Sequence, residues 1–211
     1  MLYLHYSRQA SAAMPMTIRN PQSEVTTLPR PTWAEIDLSA SYHNIRRIVE
    51  IVGPSVKVLS MVKAEAYGHG LKAIAQTAEK AGASMLGFAS LSEALTLAPG
   101  DVSITKLVVG WTPGFLAESA LRNDMTCTVC DLETATEFAR AAQATGKAAH
   151  VHVKVDTGMG RLGFLPDEAV NAIEAMASMS GLTLDGIFTH FAKADEVDPS
   201  YTYQQFEKFK R

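Results

Sequence analysis

VKVLSMVKAEAYGHG, residues 56–70, is the stretch on which the fold turns: an apolar, β-branched run ends at Lys63 and a Tyr-Gly-His-Gly turn follows at once. In a parallel sheet built from βα units, the C-terminal ends of the strands carry the chemistry. A lysine leaving a Val/Leu/Met environment there is partly desolvated, which lowers its pKa and frees the amine to attack a carbonyl. Lys63 is therefore a candidate Schiff-base lysine. An isolated Val-Lys is more often a solvated residue after a strand, so the rest of the chain has to decide.

Working outward, short β-branched runs alternate with longer stretches of helical period, which points to repeated βα units and a parallel sheet. WAEIDL (33–38) reads as a strand, and LSASYHNIRRIVEIV (38–52) as a helix capped by Ser39 with Ile45, Ile48, Val49 and Val52 on one stripe. Six further strands are expected at 57–62, 85–88, 106–110, 126–130, 150–156 and 183–190. Between them lie helices, including 71–82, stopped by Gly82, and 166–179, opened by Pro166. The fold class is α/β, a (β/α)8 TIM-type barrel. A closed barrel needs eight strands and typically about 250 residues. The chain is thus expected to be truncated to about six βα units, ending in the unfinished helix FEKFKR.

The chain has 211 residues, of which 47% are hydrophobic and 19% charged, enough for a sizeable core. Its formal charge of −3 offers no basic field to a phosphate backbone, so nucleic-acid partners have no electrostatic support. No apolar run of about eighteen residues is present to span a membrane. Residues 1–30 lack the continuous apolar core of a signal peptide and read as a flexible leader, with Met14 or Met16 as the real start. The expected location is cytoplasmic. Cys127 and Cys130 form a C-x-x-C with no second pair; on a strand these positions face opposite ways and cannot share a metal, so they read as buried, reduced thiols.

Strand 150–156, HVHVKVD, sorts His150, His152, Lys154 and Asp156 onto one face and Val151, Val153 and Val155 onto the other. A parallel sheet is covered on both faces, so the ionisable column is expected to line a cavity or barrel lumen, a functional-site signal. DTGMGRLGF (156–164) follows, and Gly158, Gly160 and Gly163 match G-x-G-x-x-G. A dinucleotide motif needs an apolar strand before it and a helix opening within the glycines. Neither holds: the strand carries the ionisable column and the helix begins near Pro166. The glycines are better read as letting backbone pass close to a planar ligand while Arg161 points into the site. In GIFTHFAKADE (186–196), His190 ends the sixth strand, at the barrel face expected for Lys63 and Arg161.

Together MVKAEAYGHG, VKVDTGMGRLG and THFAKADE resemble the three ordered motifs of the alanine racemase family, and RPTWAEIDLSA is similar to its opening strand. The resemblance runs from about residue 29 to 211. It implies a pyridoxal 5′-phosphate (PLP) barrel over 31–211, with the strand at 33–38 belonging to a β-rich C-terminal domain that this chain lacks. It implies that Lys63 forms the Schiff base and serves as one of two bases, that Tyr67 contacts the phosphate and that His190 packs on the pyridine ring. Lys154 becomes the lysine often carbamylated in the family, holding Arg161 against the cofactor's phenolic oxygen and the substrate carboxylate.

The implied activity is interconversion of L- and D-alanine, supplying D-alanine for peptidoglycan, by a homodimer in which the second domain contributes a tyrosine as the opposite base. No metal is implied. The sequence departs from the pattern at Glu65, where the family usually has Asn or Asp. It also ends before the arginine that meets the pyridine nitrogen and before the small phosphate-binding residues. The chain alone is therefore expected to bind PLP but not to racemise at a native rate. The alternatives are a PLP-dependent decarboxylase on the same barrel, against which the YGHG turn and glycine loop argue, and a non-catalytic PLP-binding barrel protein.

Overall fold

The computed structural model describes residues 34–210. The expected leader and Trp33 lie outside the described residues. Those described fall into two compact units, one comprising 34–86 and 100–104, the other 87–99 and 105–210. Among the described residues the sheet has six strands, side by side in chain order, as repeated βα units require.

In the first unit the expected opening strand is absent from Ala34–Asp37, and helix α1 begins at Leu38 (Leu38–Val52). Asp37, not Ser39, is the cap: its carboxylate accepts the N–H of Ser39 at 2.8 Å and of Ala40 at 3.1 Å. The carboxylate wins because it satisfies two of the unpaired donors of the first turn and carries the charge that suits them. Ile45, Ile48, Val49 and Val52 are half-buried while Ile51 is 68% exposed, so the expected stripe is the packed one. β1 (Leu59–Met61) precedes a turn at Lys63–Gly68, and α2 (Leu71–Lys80) follows. Two residues later Gly82 adopts φ +99°, which ends the helix as expected.

β2 (Met85–Phe88) leads into the second unit, which continues with α3 (Leu91–Ala94), β3 (Thr105–Trp111), a 3-10 turn at Gly114–Leu116, α4 (Ala117–Arg122), β4 (Thr126–Val129), α5 (Leu132–Thr145), β5 (Ala149–Lys154), α6 (Pro166–Ala177), β6 (Leu182–Phe188) and α7 (Ser200–Phe209). β3 to β6 pair in parallel, with Cys127 opposite Val151, Val129 opposite Val153 and Lys154 opposite Phe188. Every residue of β4 is buried, as expected of a parallel strand covered on both faces. The core is formed by Phe88, Val108, Val129, Phe138, Val151 and Met176, all fully buried. Gly110 is required because a Cβ there would collide with the carbonyl oxygen of Ala89.

The strand boundaries differ from expectation in a consistent way. β4 stops at Val129, leaving Cys130 just beyond it; β5 stops at Lys154, not Asp156; and β6 stops at Phe188, not His190. β5 stops because Phe164 folds back: its N–H donates to the Lys154 carbonyl at 2.9 Å, and its own carbonyl accepts the Asp156 N–H at 2.8 Å.

Candidate active site

The candidate residues divide between the two units. In the first, Lys63 lies two residues past the end of β1 and opens a turn in which Ala64, Glu65, Ala66 and Tyr67 all take φ between +52° and +56°. Four consecutive non-glycine residues in the left-handed region cost about 1–2 kcal/mol each. Strain of this kind persists only where the surroundings over-determine it, and it clusters at functional sites. The surroundings are visible: Ala66 N–H donates to the Val62 carbonyl at 2.8 Å, Gly70 N–H to the Glu65 carbonyl at 2.9 Å, and Ala66 is buried. Nδ1 of His69 lies 2.9 Å from the Ala66 carbonyl.

Glu65 has a defined task here, since its carboxylate accepts the Leu71 N–H at 3.4 Å, at the start of α2, where Gly70 offers no side-chain cap. The turn leaves Lys63 half-buried with its Nζ 6.0 Å from the centre of the Tyr67 ring, and Tyr67 itself is 45% exposed. Among the described residues, the Lys63 amine has neither a hydrogen bond nor an ion pair.

In the second unit, β5 carries the ionisable column, but its members are not equivalent. His150 is exposed and paired with Asp185, Nδ1 to Oδ2 at 2.9 Å. His152 is half-buried over Gly186, where a Cβ would come within 2.9 Å of the imidazole. Burial pushes its pKa down, while Asp185 pulls the other way. Lys154 is buried, 4% exposed, with Nζ 5.4 Å from the centre of the Phe188 ring. Burial first, and the neighbouring Arg161 second, hold its pKa below the ordinary lysine value; Cys130 and Asp156 act in the opposite direction. The expectation that the whole column lines an interior therefore holds for Lys154 and in part for His152, and is corrected for His150.

Asp156 lies past the strand end and organises the glycine loop. Its Oδ1 accepts N–H groups from Gly158 at 2.9 Å and Gly160 at 3.0 Å, and its Oδ2 accepts that of Arg161 at 2.8 Å. Desolvation alone would raise its pKa, but the N–H groups of Gly160, Gly158 and Arg161 outweigh it and hold the carboxyl below the usual range. Gly163 closes the loop onto the strand end: at φ +125°, a Cβ would come within 2.7 Å of the Asp156 nitrogen. The loop is thus a carboxylate-centred turn, not a helix N-terminus, which removes the dinucleotide reading on geometric grounds. The Arg161 residue is exposed.

His190 lies two residues past β6 and is half-buried. Its carbonyl accepts the Gln205 side-chain N–H at 3.0 Å. Gln205 and Tyr201, both on α7, were not singled out by sequence. Their (i, i+4) spacing is the only available signal, and a glutamine in a polar helix normally reads as solvated.

Cys127 is buried in β4, as expected, whereas Cys130 lies just past the strand and is only half-buried; both are free thiols. Burial pushes each pKa up to about 11. Between α4 and α5 runs a groove lined by Phe115, Glu118, Arg122, Glu137 and Arg140. Its charges pair among themselves, Arg122 with Glu118 and Arg140 with Glu137, which marks a solvated helix surface. No helix among the described residues is long and apolar enough to cross a membrane.

Residues 36–211 match the family described as alanine racemase, N-terminal domain. The alanine racemase of Desulforamulus reducens is 45% identical over 180 residues, which is 85% of this chain and 49% of that protein. Among solved structures, the alanine racemase of Clostridium difficile 630 in complex with cycloserine superposes with a TM-score of 0.80 at 37% identity, over 87% of this chain and 51% of that one. A histidine racemase from Leuconostoc mesenteroides subsp. sake superposes with a TM-score of 0.75 at 32% identity, over 82% and 47% of the two chains. The chain spans about half the length of the curated relatives it matches. Three motif segments at strand ends, the strained turn after Lys63 and a match over nearly all the described residues agree, and the chain belongs to the alanine racemase N-terminal domain family.

Proposed function

We propose that this chain is the PLP-binding portion of an amino-acid racemase acting on alanine. The observation that carries the reading is the left-handed turn Ala64–Tyr67, which follows a Lys63 amine that makes neither an ion pair nor a hydrogen bond among the described residues. The residues present fit the cofactor. An uncommitted primary amine suits its aldehyde, an exposed Tyr67 hydroxyl can reach a phosphate, and the Asp156-centred loop brings backbone and Arg161 to one strand end.

When bound, PLP supplies the electron sink that stabilises charge at the substrate Cα. Lys63 anchors the cofactor and then takes or returns the Cα proton at Nζ on one face of the substrate. Racemisation needs a second base on the opposite face, which the resemblance assigns to a tyrosine of a β-rich domain in a homodimer. Arg161 would bind the substrate carboxylate and help hold the cofactor, and His190 would hold the cofactor beside it.

Lys154 supports Arg161 once carbamylated. The neutral amine adds to CO2, forming an N–C bond and releasing a proton, and the resulting anion pairs with the guanidinium. Its burial, with no hydrogen bond or ion pair among the described residues, favours the neutral amine that this step needs. The structural likeness to a histidine racemase keeps a second substrate in view.

Adding PLP to the chain should produce the absorbance of a lysine-bound cofactor, and Lys63→Ala should abolish it. In D2O the parent should exchange the Cα hydrogen of alanine faster than that of histidine, and Lys63→Ala should lose roughly 10²–10⁴ of that rate. Borohydride trapping of PLP by Lys63→Ala equal to that by the parent would place the anchor elsewhere, and faster exchange with histidine would reassign the substrate.

A further inference from the structure

Helix α7 is tied to two loops by its polar side chains. Gln205 is wholly buried, and its amide makes three bonds: Oε1 accepts the Ala192 N–H at 2.8 Å, while Nε2 donates to the His190 carbonyl at 3.0 Å and to the Thr157 hydroxyl at 3.2 Å. One turn earlier, the Tyr201 hydroxyl donates to the Gly158 carbonyl at 2.7 Å. Thr157 and Thr189, one on each loop, bring their hydroxyl oxygens to 2.8 Å. The loop after β5 and the loop after β6 are therefore joined to each other and to α7.

Gly158 shows how close this approach is. At φ +141° it has no Cβ, and one added there would come within 2.6 Å of the Tyr201 oxygen. A buried amide is costly unless its groups are bonded, and a well-packed apolar side chain would stabilise the helix at least as well. A glutamine whose bonds all end on two loops serves geometry more than cohesion.

We infer that Gln205 and Tyr201 are positioning residues: they hold the loop bearing Arg161 and the loop bearing His190 in one mutual arrangement, and through it set the affinity for the cofactor. This rests on the reading of Arg161 and His190 as PLP contacts.

The test uses the full chain and four variants: Gln205→Met, Gln205→Glu, Tyr201→Phe and, as a reference on the same helix, the exposed Gln204→Met. Amide hydrogen exchange, the PLP dissociation constant and the circular dichroism of bound PLP are measured well below each variant's melting temperature. Gln205→Met should speed exchange at Ala192, and Tyr201→Phe should speed it across residues 158–161. Gln205→Glu keeps the acceptor for Ala192 but loses both donors, so it should leave Ala192 protected and still weaken PLP.

Both Gln205 variants should raise the PLP dissociation constant roughly fivefold to a hundredfold and alter the dichroic band, as loss of buried hydrogen bonds implies. Gln204→Met should match the parent. Variants that melt earlier yet bind PLP with the parent's affinity and band would overturn the inference, because a purely cohesive role moves only the melting temperature. Unchanged exchange at Ala192 and residues 158–161 would overturn the tie between the loops whatever the ligand. A parent that binds no PLP while the variants still lose protection would sink the cofactor reading and leave the tie standing.

Discussion

The carboxylate of Asp156 accepts the backbone N–H of Arg161 at 2.8 Å, so the residue before the glycine loop sets where the arginine leaves it. Arg161 follows a turn wound around one half-buried carboxylate, with Gly158 and Gly160 bonded to the same group. A long, flexible side chain is thereby given a fixed root.

That arrangement makes the loop sensitive to acid. The folded-state pKa of Asp156 lies below its ordinary value, so its contribution to stability is present above the unfolded pKa, about 3.9, and is lost as pH falls through the folded value. Amide protection at Gly158, Gly160 and Arg161 should hold from neutral pH past about pH 3.9 and be lost only as pH falls through the lower folded value. Asp156→Ala should remove it at neutral pH, at a cost of about 1–3 kcal/mol in denaturant unfolding. Protection surviving that substitution would mean that the glycines hold the turn unaided.

Lys154 titrates in the opposite sense. Its folded pKa is lowered by burial and then by Arg161, so at neutral pH the unfolded chain holds this proton more readily than the folded one. Stability should rise with pH between the folded pKa and about 10.4. Lys154→Met should flatten that slope and stabilise the chain at neutral pH by about 1 kcal/mol or more. It should also weaken substrate more than PLP, and abolish a carbamate carbon signal seen with labelled CO2. An unchanged pH slope would show that another group is responsible.

The turn after Lys63 makes Ala64 a diagnostic position. It is exposed and held at φ +52°, so a β-branched residue adds strain there without disturbing the core. Ala64→Val should destabilise by about 1–2 kcal/mol. Ala64→Gly should be nearly neutral, because relief of strain is offset by about 0.4–1 kcal/mol of added unfolded-state entropy. Equal effects of the two in thermal unfolding would contradict the left-handed turn.

The thiols should be inert in the native state. With both pKa values near 11, only roughly one molecule in a thousand carries a thiolate at either position at pH 8. Alkylation should be slow for Cys127 and Cys130 in the folded chain, accelerate as pH approaches 11 and become complete on unfolding. Rapid labelling of Cys130 at pH 8 would show that its surroundings stabilise the anion.

The sequence by itself determined the class of fold, six strands in chain order and the position of Lys63 at a strand end. Each follows from local information: a β-branched run, a stripe at helical spacing, a glycine past a helix end. It also placed Val151, Val153 and Val155 on the buried face, because alternation is built into an extended chain. The ends of β5 and β6 were legible only to within a couple of residues. Strands end where pairing ends, and the Phe164 bond that closes β5 is made by a residue ten positions further on.

Tertiary structure alone decided the rest. Nothing in AEAY announces four left-handed residues, since alanine and glutamate disfavour that region and enter it only under surrounding constraint. The grading of the ionisable column, from an exposed His150 to a buried Lys154, depends on which neighbours cover each side chain. Gln205 and Tyr201 carry no local mark beyond their (i, i+4) spacing. Their roles come from loops that lie 13 to 48 residues away in sequence and reach α7 only once the chain has folded, and hydrogen bonds of that range leave no period to read.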